Sequence, residues 1–229
     1  MLSKTKYKIF ILIILVIITS CGNKKKVFQR TFFKLDTVVT ITIISDIWTD
    51  NQFESLIASI KTKLDYYDNI FNIHNRKSEV AKITKFISDK PYKISSDLYK
   101  VLNICKKYYK ATDENFDPTV GSITLLYNFT NGNRPPDNKK IKQALQKIGL
   151  DNITLLNDNL IKIKRSPVYL DLGGIAKGYI IDRVSEIIHK KGIKNFLVNI
   201  GGDIYAAGKN YQGTKWRIGI QNPRKSLRL

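Results

Sequence analysis

Residues 31–44 alternate, with Val39, Ile41 and Ile43 on one face and Val38, Thr40 and Thr42 on the other. This period of two predicts a long strand, bent at Leu35-Asp36-Thr37. From Asn51 to about Ile70 the period becomes helical. Phe53, Leu56, Ile57, Ile60, Leu64 and Tyr67 form one stripe, and Asn51 with Glu54 predicts a capping box. Ser95-Ser96-Asp97 opens a second helix, buried through Leu98, Val101, Leu102 and Cys105 and reaching about Lys110. Residues 115–121 predict a turn, because Pro118 disfavours helix at Asp117. Pro135-Pro136-Asp137 starts a third helix through Ile141, Leu145 and Ile148, closed by Gly149. Residues 153–156 and 160–164 flank Asn157-Asp158-Asn159 as a hairpin, and residues 195–200 and 204–207 flank Gly201-Gly202-Asp203 similarly. Residues 216–220 predict a last strand before Pro223. Helices mixed with antiparallel hairpins imply an α+β fold rather than a doubly wound sheet.

One stretch combines a structural pattern with candidate chemistry. Val168-Tyr169-Leu170 alternates like the end of a strand, and Asp171-Leu172-Gly173-Gly174-Ile175-Ala176-Lys177-Gly178-Tyr179 follows. Ile175, Tyr179, Ile180, Val184, Ile187 and Ile188 then keep a helical period up to Gly192, the expected C-cap. The glycines therefore fall at a strand-to-helix turn. Backbone without side chains can approach a ligand there, and the first helical N–H groups face an anion. Asp171 can accept hydrogen bonds from a base or sugar edge, and Lys177 can meet a phosphate. The plainer alternative is a tight turn with a solvated lysine.

Composition bounds the rest. The 229 residues are 43% hydrophobic, ordinary for one globular domain. Net charge is +20. Without residues 1–20, 36 basic residues still face 19 acidic ones. The excess is mostly lysine spread along the whole chain, without a dense arginine patch or a nucleic-acid motif, so no nucleic acid is expected as a partner. Lys4, Lys6 and Lys8 precede an uninterrupted apolar run at residues 9–18, too short for a comfortable membrane span. Residues 1–20 therefore read as a secretory leader. Ile18-Thr19-Ser20-Cys21 resembles a bacterial lipobox, which makes Cys21 the expected lipidation site, with an uncleaved anchor or a plain signal peptide as the alternatives. Residues 21–30 read as a tether and 31–229 as the domain, on a cell membrane and facing the extracytoplasmic side. Cys105 then has no thiol partner and reads as a core residue.

Six segments carry a resemblance. They are Leu35-Asp36-Thr37, Phe71-Asn72-Ile73-His74 with Ser78-Glu79, Phe116-Asp117-Pro118-Thr119-Val120-Gly121, the stretch at 171–179, Asn199-Ile200-Gly201-Gly202-Asp203 and Trp216-Arg217-Ile218-Gly219-Ile220. In this order, from about Phe32 to Pro223, the chain resembles the ApbE family, the FAD:protein FMN transferases. The resemblance implies an α+β fold with mixed and antiparallel sheets and packed helices. It implies an exported, often lipid-anchored enzyme that attaches FMN from FAD to a Thr or Ser of a flavoprotein in a membrane redox complex, releasing AMP. FAD would be the substrate and Mg²⁺ the cofactor. Leu35, His74, Asn115, Phe116, Asp117, Asp171 and Lys177 would surround FAD, and the Gly174 carbonyl would be one ligand of the metal. No catalytic residue is implied.

The chain also departs from the family. Leu35 stands where a Met is usual, Tyr127 where a Trp is common, and an aromatic expected near His74 is missing. His74, in a polar loop, has a solvated reading beside the functional one, and His189 reads as a surface residue at a helix C-terminus. Relatives are expected to continue for roughly another hundred residues, a length prior, with a His-containing segment and an Asp/Thr motif that holds the metal. The fold is accordingly expected to be incomplete at the C-terminus and transfer activity of this chain alone stays open. A non-catalytic FAD-binding lipoprotein, an FAD pyrophosphatase and a tethered basic domain without flavin are the alternatives.

Overall fold

The alternating run around residue 35 is a hairpin and not one bent strand. The computed structural model describes residues 25–86, 90–127, 135–165 and 167–220. Strand β1 (Lys26–Lys34) pairs antiparallel with β2 (Thr37–Ser45), with Lys34 opposite Thr37. Leu35 and Asp36 form the two-residue loop, both with positive φ (57° and 55°), as a hairpin loop of the I′ kind requires. That conformation costs a leucine about 1–2 kcal/mol. No Asn-Gly or Asp-Gly announces the turn, so pattern alone misses it. Residues 26–30, expected as tether, belong to β1. The leader and Cys21 lie outside the described residues, among which no helix is long and apolar enough to cross a membrane.

Helix α1 (Asp50–Phe71) buries Phe53, Leu56, Ile57, Ile60, Leu64, Tyr67, Ile70 and Phe71. Each fully buried aliphatic or aromatic side chain contributes about 2 kcal/mol relative to exposure. The capping box is Thr49 with Gln52 and not Asn51 with Glu54. Glu54 instead pairs with Arg30 of β1, beside the Lys26–Asp50 and Lys34–Asp65 pairs. Helix α2 (Glu79–Lys85) is capped by Ser78, and β3 (Tyr92–Lys93) follows. Helix α3 (Ser96–Ala111) starts at the Ser95 cap and is buried through Leu98, Val101, Leu102 and Cys105, as expected.

Residues 118–120 make one 3₁₀ turn, and helix α4 (Gly121–Tyr127), which no sequence signal marks, continues from it. Helix α5 (Asn138–Leu145) starts at its Asp137 cap but ends four residues before Gly149. Leu145 is 54% exposed, and the chain leaves the helix through a turn at residues 146–147. Strands β4 (Ile153–Leu156) and β5 (Leu160–Ile163) form the expected hairpin, and β3 joins the other edge of β5. Residues 168–170 alternate in burial but pair with no strand. Helix α6 (Ala176–Lys190) ends at Gly192, with φ 78°. Strands β6 (Phe196–Ile200) and β7 (Asp203–Ala207) complete a sheet of order β1-β2-β6-β7.

All strand pairs are antiparallel, and the fold is α+β. Val39, Ile41 and Ile43 face the same core as Phe196, Val198 and Ile200, and all six are fully buried under α1 and α6. Residues 216–220 are not a strand: Ile218 is 47% and Ile220 98% exposed, and the Trp216 indole N–H donates to the Ala207 carbonyl at 2.9 Å. An alternating run needs a partner strand and a face to bury, and among the described residues it has neither.

One polar cluster ties three helices together. Asp97 of α3 accepts from the Tyr179 hydroxyl of α6 at 2.6 Å and from the Tyr66 hydroxyl of α1 at 3.0 Å, with Lys63 at 3.8 Å. Burial pushes the Asp97 carboxyl up, but the two hydroxyls and then Lys63 and Lys100 hold it below its ordinary value. Burial, then the bond to Asp97, pushes the Tyr66 phenol up to about 12. Asp97→Ala is expected to lower the unfolding free energy by about 2 kcal/mol, because it strands the buried Tyr179 phenol. Denaturant unfolding at neutral pH checks this, and an unchanged midpoint would refute it. A depressed folded-state pKa also fixes the sign with pH. The stabilisation is present above the unfolded carboxylate value of ~3.9 and is lost as pH falls through the lower folded value. The Asp97→Ala variant should lack that acid-side loss.

Candidate functional site

Four of the expected residues, far apart in the chain, meet at one cleft. Leu35, His74, Asp171 and Lys177 line it together with Tyr67, Phe71, Gly173 and Ala176, around a volume of ≈ 200 Å³. Leu35 comes from the β1–β2 turn, Tyr67 and Phe71 from the end of α1, and Asp171 to Lys177 from the glycine turn into α6. Burial, followed by the Asp97 charge, keeps the Tyr67 phenol far above its ordinary pKa, so it remains neutral. His74 sits exposed at the rim, its backbone N–H bonded to Asn72 Oδ1 at 2.8 Å.

The glycine turn is tightly organised. The Asp171 backbone N–H donates to the Pro118 carbonyl at 2.7 Å. Its carboxylate accepts from the Gly173 N–H at 2.9 Å and, on the other oxygen, from the Thr124 hydroxyl at 2.7 Å. A Cβ on Gly173 would lie 3.1 Å from Asp171 Oδ1, and one on Gly174 would lie 3.4 Å from the Phe116 ring. Unlike α1, α2, α3 and α5, helix α6 has no side-chain cap on its first N–H groups. With the Ala176 N–H held by the Leu172 carbonyl at 2.8 Å, the donors left for a ligand are those of the residues that follow it.

Two further glycines hold the walls together. A Cβ on Gly121 would lie 2.6 Å from Ile73 Cδ1 and 2.7 Å from the Tyr169 carbonyl, so only glycine lets α4 meet both the His74 loop and the run into Asp171. Gly201 (φ 60°) donates its N–H to the Val38 carbonyl, and a Cβ there would strike the Thr37 hydroxyl at 2.5 Å. The β6–β7 turn is thus pressed on the Leu35 turn. Asp203, just beyond it, faces Lys177 at 3.3 Å. With side chains 40% and 51% exposed, this pair leaves the lysine accessible to a stronger anion.

Asn115, Phe116 and Asp117 do not line the cleft. The Asn115 amide donates to the Thr112 carbonyl at 2.7 Å. Asp117 accepts from the Thr119 N–H and hydroxyl and from the Leu150 N–H, a bracing role. Phe116 stands behind Gly174. Sequence reasoning missed Thr124, which lies on the unmarked helix α4, and read Tyr67 as core only.

None of the backbone hydrogen bonds outside helices and strands ends on the Gly174 carbonyl, and no group of three or more His, Cys, Asp or Glu able to hold a metal occurs among the described residues. Magnesium commonly takes few protein ligands and completes its shell with substrate phosphates and water. The exposed Gly174 carbonyl is an oxygen donor of the kind such an ion takes.

The fold is α+β, and its glycine turn and a lysine at one cleft offer an anion backbone N–H groups and a positive charge. The ApbE family profile matches residues 35–229, and the chain belongs to that family. An FAD:protein FMN transferase of Haemophilus influenzae is 31% identical over 183 residues, 76% of this chain and 51% of the relative. One from Escherichia coli is 26% identical over 174 residues, 73% of this chain and 50% of the relative. The flavin transferase ApbE from Vibrio cholerae superposes with a TM-score of 0.79 at 25% identity, covering 87% of this chain and 65% of its own. The chain spans about half the length of these curated relatives.

Gly121→Ala should cost about 1–3 kcal/mol, since backbone must give way on one side. Thermal unfolding measures it, and an unchanged melting temperature would mean that the two segments yield freely.

Proposed function

We propose that this chain binds FAD in the cleft and carries the FAD-binding portion of an FAD:protein FMN transferase. The observation that carries the reading is the convergence of Leu35, Asp171, Lys177 and the uncapped start of α6 on one cleft, in a member of a family whose relatives bear that name. Asp171, with each oxygen already taking one hydrogen bond, keeps lone pairs for an N–H or O–H of the nucleotide. Lys177 exchanges Asp203 for a phosphate oxygen, a stronger charge-assisted partner. Tyr67 and Phe71 offer an apolar wall.

In the transfer a Thr or Ser hydroxyl of the acceptor attacks the FMN phosphorus of FAD. The new O–P ester bond forms, the pyrophosphate bond breaks, AMP leaves and the hydroxyl proton passes to solvent. The protein's part is positioning and electrostatics. A magnesium ion on the pyrophosphate would find one ligand in the Gly174 carbonyl and would withdraw charge from the phosphoryl oxygens.

The purified chain with FAD, Mg²⁺ and a threonine-bearing flavoprotein acceptor tests the reading. Transfer adds the mass of FMN to the acceptor and releases AMP. FMN and AMP appearing without acceptor labelling would identify a pyrophosphatase, and FAD binding without turnover a non-catalytic flavin protein. Absence of FAD binding would overturn the reading.

The acceptor belongs to a membrane redox complex, and the chain is anchored beside it, on the extracytoplasmic side, through a lipid on Cys21. The leader pattern of residues 1–21 supports this. Cys21→Ser should move the chain from the membrane fraction to the soluble one, and retention in the membrane would count against the anchor.

A further inference from the structure

We infer that Thr124 is a positioning residue for the FAD cleft: its hydroxyl holds the Asp171 carboxylate in the orientation that serves the nucleotide. This rests on the reading that the cleft binds FAD. Thr124 stands on α4, 47 residues before Asp171, and belongs to none of the segments that carry the family resemblance. Its side chain is half-buried, and its hydroxyl lies 2.7 Å from Asp171 Oδ2. The alternative acceptor, the Val120 carbonyl one turn back, is 3.5 Å away, so the single hydroxyl proton goes to the carboxylate.

The consequence follows from the other oxygen. Oδ1 is held by the Gly173 N–H within the same turn, a local bond that leaves the carboxylate free to swing about that one contact. The Thr124 bond comes from a different element and stops the swing. Two donors on two oxygens define the plane of the carboxylate, and the unused lone pairs then point in set directions. Thr124 is itself well placed to do this. Branching at Cβ restricts its rotamers. The helix beneath it is seated by Gly121 directly against the Tyr169 backbone, two residues before Asp171. Hydroxyl and carboxylate are therefore registered through a backbone contact as well as through the bond between them.

FAD titration of the native chain and variants, followed by flavin fluorescence, tests this. Thr124→Val, nearly the same shape without the donor, should weaken FAD binding by about ten-fold, the scale of a hydrogen bond to a charged group. Thr124→Ala should do the same, which covers the case of a valine that does not fold. Thr124→Ser should return affinity to within about two-fold of native, since it restores the donor. In an Asp171→Ala background, Thr124→Val should have no further effect, an outcome that a purely structural role would not produce. Native-like affinity in Thr124→Val, or an equal loss with and without the Asp171 carboxylate, overturns the inference alone. Failure of the native chain to bind FAD overturns the underlying reading and this inference with it.

Discussion

Asp97 is the point on which the geometry of the cleft depends. It sits in the first turn of α3, yet its two oxygens hold a hydroxyl from α1 and a hydroxyl from α6. A buried carboxylate is costly unless it is paired. Here the phenols, with Lys63 nearby, satisfy it, so one carboxylate ties the three helices to one another. Tyr179 also packs edge-on against Tyr67 and Phe71, with ring centres 6.1 and 6.0 Å away. The residue that reaches Asp97 lies two positions after Lys177. Fixing Tyr179 therefore fixes where α6 starts, and with it the lysine and the glycine turn.

Around that frame the site is assembled by close backbone approach. Gly121 admits the Tyr169 carbonyl and the Ile73 side chain, and Gly201 admits Thr37. Each contact joins segments that carry no chemistry toward each other in sequence. The strained Leu35-Asp36 turn is the third element of the same wall, held by the β1–β2 ladder on one side and by the Gly201 turn on the other. Polar side chains complete the bracing: Asp117 ties the 3₁₀ turn to Leu150, and Glu79 ties α2 to the Ser95 N–H. Several residues of the family-like segments are thus structural supports, and a smaller set lines the cleft.

Some of this was legible in the chain. The α1 and α3 stripes, the two later hairpins and the Gly192 cap were readable because their periods and turn residues are local properties. Asp171 and Lys177 were readable as anion chemistry beside a glycine turn. The first hairpin was not, because Leu-Asp is an unusual pair for a turn with positive φ, and only the ladder and the neighbouring Gly201 turn make it acceptable. The capping box is Thr49 with Gln52 because the helix already starts at Asp50, which puts Asn51 inside its first turn. Helix α5 stopped before the expected Gly149, and residues 216–220 have no strand to pair with among the described residues.

The sequence by itself determined helices α1, α3 and α6, the two later hairpins, and that residues 171–179 offer an anion a glycine turn and a lysine. Periodicity, capping and backbone freedom depend on near neighbours alone. Only the tertiary structure decided that Leu35, His74, Asp171 and Lys177 share one cleft, that Asn115 and Asp117 serve as braces, and that Thr124 reaches Asp171. Those relations join residues up to 142 positions apart, from Leu35 to Lys177, and are set by packing and by hydrogen bonds between distant segments.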